Sequence, residues 1–163
     1  MTKSRKLMIA ALLTVALASA GSALAGTAQG TRIVPFTGSY AGIANVVVAD
    51  GLSTITATGV GRSTPVGMLK LTGKGTGSAD ENAECNPFNG TGSIIGVKLA
   101  KINFKLSGAQ GCGDGTDFSI TGRAIVTGGA GVYKAAKGNL KVVGAWNKST
   151  KKFSIKFIGK LTV

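Results

Sequence analysis

The chain of 163 residues contains no histidine. This absence excludes the Ser-His-Asp and Cys-His nucleophile systems, together with the commonest general base of enzymes. It also removes the usual ligands of catalytic zinc. A carboxylate pair could still act as acid and base, but the chain has only six Asp and Glu in total. The composition therefore favours a binding or structural protein over an enzyme.

Cysteine is scarce, since Cys85 and Cys112 are the only two in the chain. The pair lacks Cys-x-x-Cys spacing, and no histidine is present to lower a thiol pKa, so a redox-active pair is the weaker interpretation. The N-terminal segment, described next, predicts that the chain is exported, and a lone pair of cysteines in an exported chain is expected to form a disulfide. We therefore predict a Cys85–Cys112 bridge.

The N-terminus has the composition of a secretory signal. Basic residues precede an apolar and small-residue run over residues 7–21, and Ala23-Leu24-Ala25 supplies the small residues that signal peptidase requires. The alternative is a membrane anchor, but the run is shorter than the roughly 20 residues of a spanning helix. We expect residues 1–25 to be cleaved, leaving a single domain over residues 26–163 that is secreted or periplasmic.

Proline is rare and glycine abundant, with three prolines against 26 glycines. High glycine without proline-rich or low-complexity runs indicates many turns and bulges in an ordered chain. Between the glycines, apolar and polar residues alternate. For example, Phe153, Ile155 and Phe157 alternate with Ser154 and Lys156. This alternation predicts strands with one dry and one solvated face. About eight such segments predict an all-β fold, either a sandwich or a single closed antiparallel barrel.

One segment breaks the alternation. Between Val97 and Leu106 the apolar positions change parity near Ala100-Lys101, which predicts a β-bulge within a strand. No segment after the N-terminal region has a convincing helical stripe.

Residues 128–138 read Gly-Gly-Ala-Gly-Val-Tyr-Lys-Ala-Ala-Lys-Gly. This stretch resembles the Gly-Gly-Thr-Gly-x-Phe…Ala-x-Gly signature of dirigent proteins and allene oxide cyclases, with Ala130 and Tyr133 as departures from it. Residues 34–38 and 61–67 are similar to small secreted bacterial proteins of the same barrel type. The resemblance implies an eight-stranded, calycin-like barrel. No catalytic residue of the plant enzymes matches a position in this chain.

Five of the six acidic residues lie within five residues of a cysteine, so a disulfide would gather them at one site. Ca²⁺ prefers several oxygen ligands, which makes this cluster a candidate calcium site. The favoured alternative is a solvated loop whose carboxylates relieve repulsion in a basic protein. No other cofactor is expected. The calcium candidates are Asp80, Glu84, Asp114 and Asp117.

Nine basic residues and no acid lie between Phe118 and Val163, in a chain of formal net charge +13. Dense positive charge attracts polyanions because counterions are released, so an anionic polysaccharide or envelope component is an expected partner. The alternative is that the lysines only keep the strand surfaces soluble. Nucleic acid is not expected, because no recognition motif is present. The candidate residues are Arg123, Lys141, Lys152, Lys156 and Lys160.

Tyr40, Tyr133 and Trp146 are candidates for lining a cavity inside the barrel, or else simple core residues. The first functional hypothesis is a non-enzymatic binding protein that holds a small apolar ligand in the barrel or an anionic polymer on a basic face. The second is a dirigent- or cyclase-like barrel that steers isomerisation or cyclisation of a hydrophobic substrate. The third is a structural protein of the cell envelope or surface.

Overall fold

Segments of alternating apolar and polar residues form eight β-strands. The computed structural model describes residues 30–65, 67–113 and 115–163. Within these ranges the helical segments are two short 3₁₀ turns, Val97–Leu99 and Gly131–Tyr133. The strands are β1 (Ile33–Ala49), β2 (Leu52–Thr64), β3 (Gly67–Ser78), β4 (Cys85–Ile95), β5 (Lys101–Cys112), β6 (Asp117–Ala130), β7 (Lys137–Asn147) and β8 (Lys152–Thr162).

The strands form a closed antiparallel barrel in sequence order, which confirms the predicted fold class. Each strand pairs with the next, and β1 pairs with β8 over Ile33–Ile43, so no edge strand is left exposed. Following the register once around the barrel from Ala44 returns to Val34 on the same strand, a stagger of ten residues. This stagger requires the strands to tilt steeply against the barrel axis.

The inner face of the barrel is dry because the face of each strand that points inward carries mainly apolar and small residues. On β8, Phe153, Phe157 and Leu161 are buried, whereas Lys156 and Lys160 between them are exposed. Burial of each large core side chain stabilises the fold by about 1.5–3 kcal/mol relative to exposure. The largest fully buried side chains are those of Phe36, Phe157, Ile94, Ile102, Leu140, Leu161, Val126 and Val142.

Inward glycines leave room for aromatic rings in the narrow interior. A Cβ added at Gly38 would lie 2.8 Å from the Tyr40 ring, and one at Gly59 would lie 2.8 Å from Phe153 Cζ. Real Cβ atoms are not found so close to another heavy atom. Part of the glycine content therefore follows from the close packing of rings beside these positions, while at Gly42 and Gly144 an added Cβ would first meet the backbone of a neighbouring strand.

The loops alternate between the two ends of the barrel because neighbouring strands are antiparallel. The end that carries the β1–β2, β3–β4, β5–β6 and β7–β8 connections is called the disulfide end. Cys85 and Cys112 are direct register partners there, and their sulfur atoms are bonded, as predicted. The opposite end, called the plug end, carries the β2–β3, β4–β5 and β6–β7 connections.

The β6–β7 loop closes the plug end. Gly128 and Gly131 have φ of 132° and 62°, a region that favours glycine, and they turn the chain back toward the barrel. Tyr133 and Ala136 join the hydrophobic core, and the Ala136 amide donates a hydrogen bond to the Tyr133 carbonyl (3.0 Å). The glycine-rich stretch that carries the family resemblance thus covers one end of the core.

The bulge predicted near Ala100-Lys101 is wrong. The parity changes there because β4 ends at Ile95, a 3₁₀ turn follows, and β5 begins only at Lys101. Lys98 and Leu99 in this turn both have a left-handed backbone, with φ of 52° and 60°. That conformation costs a non-glycine residue about 1–2 kcal/mol. The register shifts of β5 lie elsewhere, at Asn103/Phe104 and Ser107/Gln110 against β6 and at Phe88/Gly90 of β4.

The predicted signal segment, residues 1–25, lies outside the described residues, as do the first residues of the predicted mature domain. In the described part of the chain, no helix has the length and apolar character needed to cross a membrane. The disulfide fits an extracytoplasmic location, because such bonds persist in oxidising compartments.

Removal of the disulfide should destabilise the barrel substantially. The bond closes a separation of 27 residues, and the chain-entropy relation gives a loss of about 3.5 kcal/mol for a loop of this size. We expect this decrease in the unfolding free energy of a Cys85→Ala/Cys112→Ala variant, measured by guanidinium denaturation. Reduced wild-type protein should show a similar loss. A double variant as stable as the oxidised protein would show that the bond does not constrain the unfolded chain.

Candidate functional site

All five basic residues predicted to bind a polyanion lie on the outer wall of the barrel. Arg123 is on β6, Lys141 is on β7, and the other three are on β8. All five are exposed, and all but Lys152, the first residue of β8, lie between two inward apolar or glycine residues. The alternation of the strands thus turns their charges toward solvent.

Four of these residues form one cluster, which we call the basic face: Arg123, Lys141, Lys156 and Lys160. Arg123 and Lys141 are direct register partners across β6 and β7. Lys141 is opposite Ile158 of β8, which places it diagonally between Lys156 and Lys160. Direct partners have Cβ atoms about 4.5–5.5 Å apart, and diagonal neighbours lie about 7–8 Å apart. The basic face is therefore centred on Lys141.

Two further cations extend the basic face, one on β5, next to β6, and one on β2, which is separated from β8 by β1. Lys105 lies in the register row that runs through Ile125 and Asn139 to Lys160. Arg62 lies two strands from Lys156, in the row that passes through Ser39. Both side chains are exposed. Sequence reasoning missed them because only the register shows that they lie next to this cluster.

Lys152, the fifth predicted residue, lies apart from the basic face. It is the first residue of β8 and is paired with Ile43, so it belongs to the disulfide end. Lys148 and Lys151 of the β7–β8 turn precede it at that end. The structure thus brings together four of the five predicted residues.

The wall that carries the basic face has one carboxylate, Asp117 at the start of β6, because no Asp or Glu follows it in the sequence. The five acidic residues that the structure describes are all at the disulfide end, in its loops or at the first residue of β6. They are Asp50, Asp80, Glu81, Glu84 and Asp117. Like charges directly opposite each other destabilise a sheet. The pairing of Arg123 with Lys141 therefore has a cost that no neighbouring acid offsets.

The candidate calcium ligands are engaged in local hydrogen bonds. The Asp80 carboxylate accepts a hydrogen bond from the Asn82 amide (2.9 Å), and Asn147 Nδ2 donates one to Asp117 Oδ1 (2.7 Å). Glu84 is exposed beside the disulfide. No group of three or more potential ligands comes together among the described residues. Asp114 lies outside those residues, so calcium binding stays a prediction.

The three aromatic cavity candidates lie at separate places in the barrel. Tyr40 packs edge-on against Phe157, with ring centroids 5.8 Å apart, and Tyr133 lies in the plug. Trp146 is half-buried toward the disulfide end, where its ring lies 5.4 Å from that of Phe118. Its indole Nε1 donates a hydrogen bond to the Ala44 carbonyl (3.2 Å). The three rings therefore do not converge on one site.

A buried pair of hydroxyl groups lies beside Gly38. The Tyr40 and Ser63 side chains are both buried, and neither hydroxyl oxygen makes a well-aligned hydrogen bond in the described structure, although the two groups are close enough to interact. Burial raises the pKa of Tyr40, while its interaction with the Ser63 hydroxyl lowers that pKa by a smaller amount. Burial likewise raises the pKa of Tyr133.

A shallow depression that opens to solvent borders the basic face. The small residues that line it include Ser39, Ala41, Gly144 and Ser154. Lys156, Val60 and Val143 also line it. This arrangement places hydroxyl groups, apolar contacts and a cation within reach of one bound group.

Comparison with protein-family models, with curated proteins and with solved structures found no match for this chain. The eight-stranded barrel is the fold that the resemblance to dirigent proteins and allene oxide cyclases implies. Membership of that superfamily stays a prediction.

The stability of the protein should fall above pH 10 because of Tyr40. A raised pKa in the folded state means that the unfolded chain loses its phenol proton first as the pH rises past the ordinary value of 10.0. The contribution of Tyr40 to the unfolding free energy is therefore constant below pH 10 and declines above it. We expect Tyr40→Phe to reduce this decline and to change stability at pH 7 by no more than about 1 kcal/mol. The measurement is denaturant unfolding at pH 8 and pH 11.

Ser63→Ala is the matched control, because it keeps the titrating phenol and removes the opposing interaction. The unfolding free energy of this variant should fall above pH 10 by at least as much as that of the wild type. Lysine deprotonation affects all three proteins alike, so the difference between them isolates Tyr40. Equal pH profiles for Tyr40→Phe and the wild type would contradict the assignment.

Proposed function

We propose that this protein is a non-enzymatic binding protein that holds an anionic polymer on its basic face. The observation that carries the proposal is the cluster of Arg123, Lys141, Lys156 and Lys160 on three adjacent strands. Solubility alone does not require four uncompensated cations to be neighbours, because scattered lysines serve that purpose. A bound polyanion would offset their mutual repulsion.

The packing of the interior supports binding through the exterior. Phe36, Phe157 and Leu161 are fully buried, and the rings of Tyr40, Phe104 and Phe153 pack closely against inward glycines. A dirigent- or cyclase-like activity, like the storage of an apolar ligand, needs an interior space that these side chains occupy over much of the described barrel. The outer wall, in contrast, presents its cations without any rearrangement.

An acidic polysaccharide is the polymer class that this surface fits best. The depression beside Lys156 offers the hydroxyls of Ser39 and Ser154 and the apolar side chains of Val60 and Val143. A sugar ring needs both kinds of contact, whereas its carboxylate or sulfate group needs the lysine. The disulfide agrees with an encounter outside the cytoplasm, where such polymers are found.

Neutralising the basic face should abolish most polysaccharide binding. We expect a Lys141→Gln/Lys156→Gln/Lys160→Gln variant to bind dextran sulfate at least about tenfold more weakly at low salt, because three ion contacts are lost. Its dependence of log Kd on log salt concentration should be shallower by about 2, by analogy with counterion release from nucleic acids. Calorimetry over a salt series measures both quantities.

A Lys98→Gln/Lys148→Gln/Lys151→Gln variant is the matched control. It loses the same formal charge from exposed lysines in the loops at the two ends of the barrel, outside the basic face and its continuation. It should keep most of the affinity and of the salt dependence. Equal losses in the two variants would mean that binding depends only on net charge, and the basic face would then not be a site.

The like-charge pair of Lys141 and Arg123 should reduce the stability of the folded protein. Replacing Lys141 by Gln removes a like-charge pair with Arg123, so the unfolding free energy should rise by about 0.2–1 kcal/mol at low ionic strength. The gain should disappear in about 1 M salt, where exposed charges are screened. Lys74→Gln should show no comparable gain. Urea denaturation at two salt concentrations tests this, and a loss of stability at low salt would contradict it.

A further inference from the structure

Two neighbouring loops at the plug end hold apolar side chains in solvent. Leu99 and Val97 in the β4–β5 turn are 85% and 64% exposed, and Val132 in the β6–β7 loop is 79% exposed. The loops are adjacent, because a Cβ on Gly131 would lie 3.7 Å from the Ala100 Cα. We call Val97, Leu99 and Val132 the apolar tip.

The backbone of the β4–β5 turn keeps Leu99 away from the core. Lys98 and Leu99 are consecutive non-glycine residues with left-handed φ, a conformation that such residues seldom adopt. Packing of the Leu99 side chain does not offset the cost of this conformation, since most of its surface is exposed. Strain at a non-glycine residue without a packing reason points to a functional role for the turn.

The charged side chains described around the apolar tip are all positive. Lys98 and Lys101 flank Leu99, and Lys134 and Lys137 follow Val132. The acidic residues that the structure describes lie at the disulfide end, on the far side of the barrel. The described charge is therefore uneven along the barrel axis, with cations alone around the apolar tip and acids together with lysines at the other end.

We infer that the plug end docks on an anionic lipid bilayer. The apolar tip enters the headgroup region, and the surrounding lysines contact lipid phosphates. Exposed apolar side chains surrounded by cations are the combination that peripheral membrane proteins use, because apolar burial and electrostatic attraction add. The polarised charge orients the barrel so that this end meets the negative surface first.

A second exposed apolar group lies at the other end of the barrel and serves as a comparison. Val47 and Leu52 of the β1–β2 hairpin are 65% and 64% exposed. Asp50 lies between them in the turn, and the other acidic loops are at the same end. Lys148, Lys151 and Lys152 are also at this end, but the five described acids outnumber them. A negative surface therefore attracts this end less than the plug end, so charge favours the plug end as the membrane contact.

Membrane docking is separate from polysaccharide binding. The basic face lies on the wall formed by β6, β7 and β8, whereas the apolar tip projects from the loops of one end. The two surfaces are therefore open to independent tests.

Vesicle co-sedimentation tests the inference with the purified protein. We expect binding to vesicles of phosphatidylglycerol and phosphatidylcholine, and at least tenfold weaker binding to phosphatidylcholine alone. A Leu99→Ser/Val132→Ser variant should bind the anionic vesicles at least tenfold more weakly than wild type. Val47→Ser/Leu52→Ser is the control, because it replaces the same two residue types, 65% and 64% exposed, at the opposite end of the barrel. Its binding should be unchanged.

A direct readout places the tip in the bilayer. Tryptophan fluorescence of a Leu99→Trp variant should shift to shorter wavelength with anionic vesicles and be quenched by brominated acyl chains. A Leu52→Trp variant should show neither effect. Dextran sulfate binding by Leu99→Ser/Val132→Ser should stay at the wild-type level, which shows that the variant is folded and that the basic face is intact.

Three results would overturn the inference. The first is equal vesicle binding by the tip variant and by the hairpin control. The second is equal binding to anionic and neutral vesicles. The third is a wild-type protein that ignores vesicles but self-associates through the tip, with the association lost in Leu99→Ser/Val132→Ser; the tip would then be a contact between copies of this chain.

Discussion

The pairing of β1 with β8 is the interaction on which the rest of the structure depends. This ladder runs from Ile33 to Ile43 and closes an eight-stranded sheet that would otherwise have two exposed edges. Closure leaves a narrow interior, and the rings of Tyr40, Phe104 and Phe153 fit there only because glycines face them. The high glycine content and the closed topology are thus two aspects of the same packing requirement.

Closure also decides where charge can be placed. The interior has no room for solvated ions, so every charged side chain among the described residues lies on the outer wall or in an end loop. The antiparallel order then separates the loops into two sets. The described acids are in one set, at the disulfide end, while the charged side chains described near Leu99 and Val132 at the plug end are all cations. A basic wall and a cationic apolar tip are what this barrel presents to its surroundings.

Single side chains were predictable where a local rule applied. The period of two along β8 places Phe157 inside and Lys156 outside, whatever the neighbouring strand. The lone cysteine pair is bonded, as its composition and context predict. The same rule failed at Ala100-Lys101, because a parity change looks alike whether it comes from a bulge or from a turn between two strands. The exposed position of Leu99 was missed for that reason.

The sequence by itself determined the all-β class, the disulfide and the side of the sheet on which each strand residue lies, because these depend on near neighbours along the chain. Only the tertiary structure decided which residues are neighbours across strands. Arg123 meets Lys141, and Lys105 lies in a row with Lys160, because of a register set by closure around the whole barrel. A shift of one residue between two strands would leave the pattern of each strand unchanged and would separate the basic face.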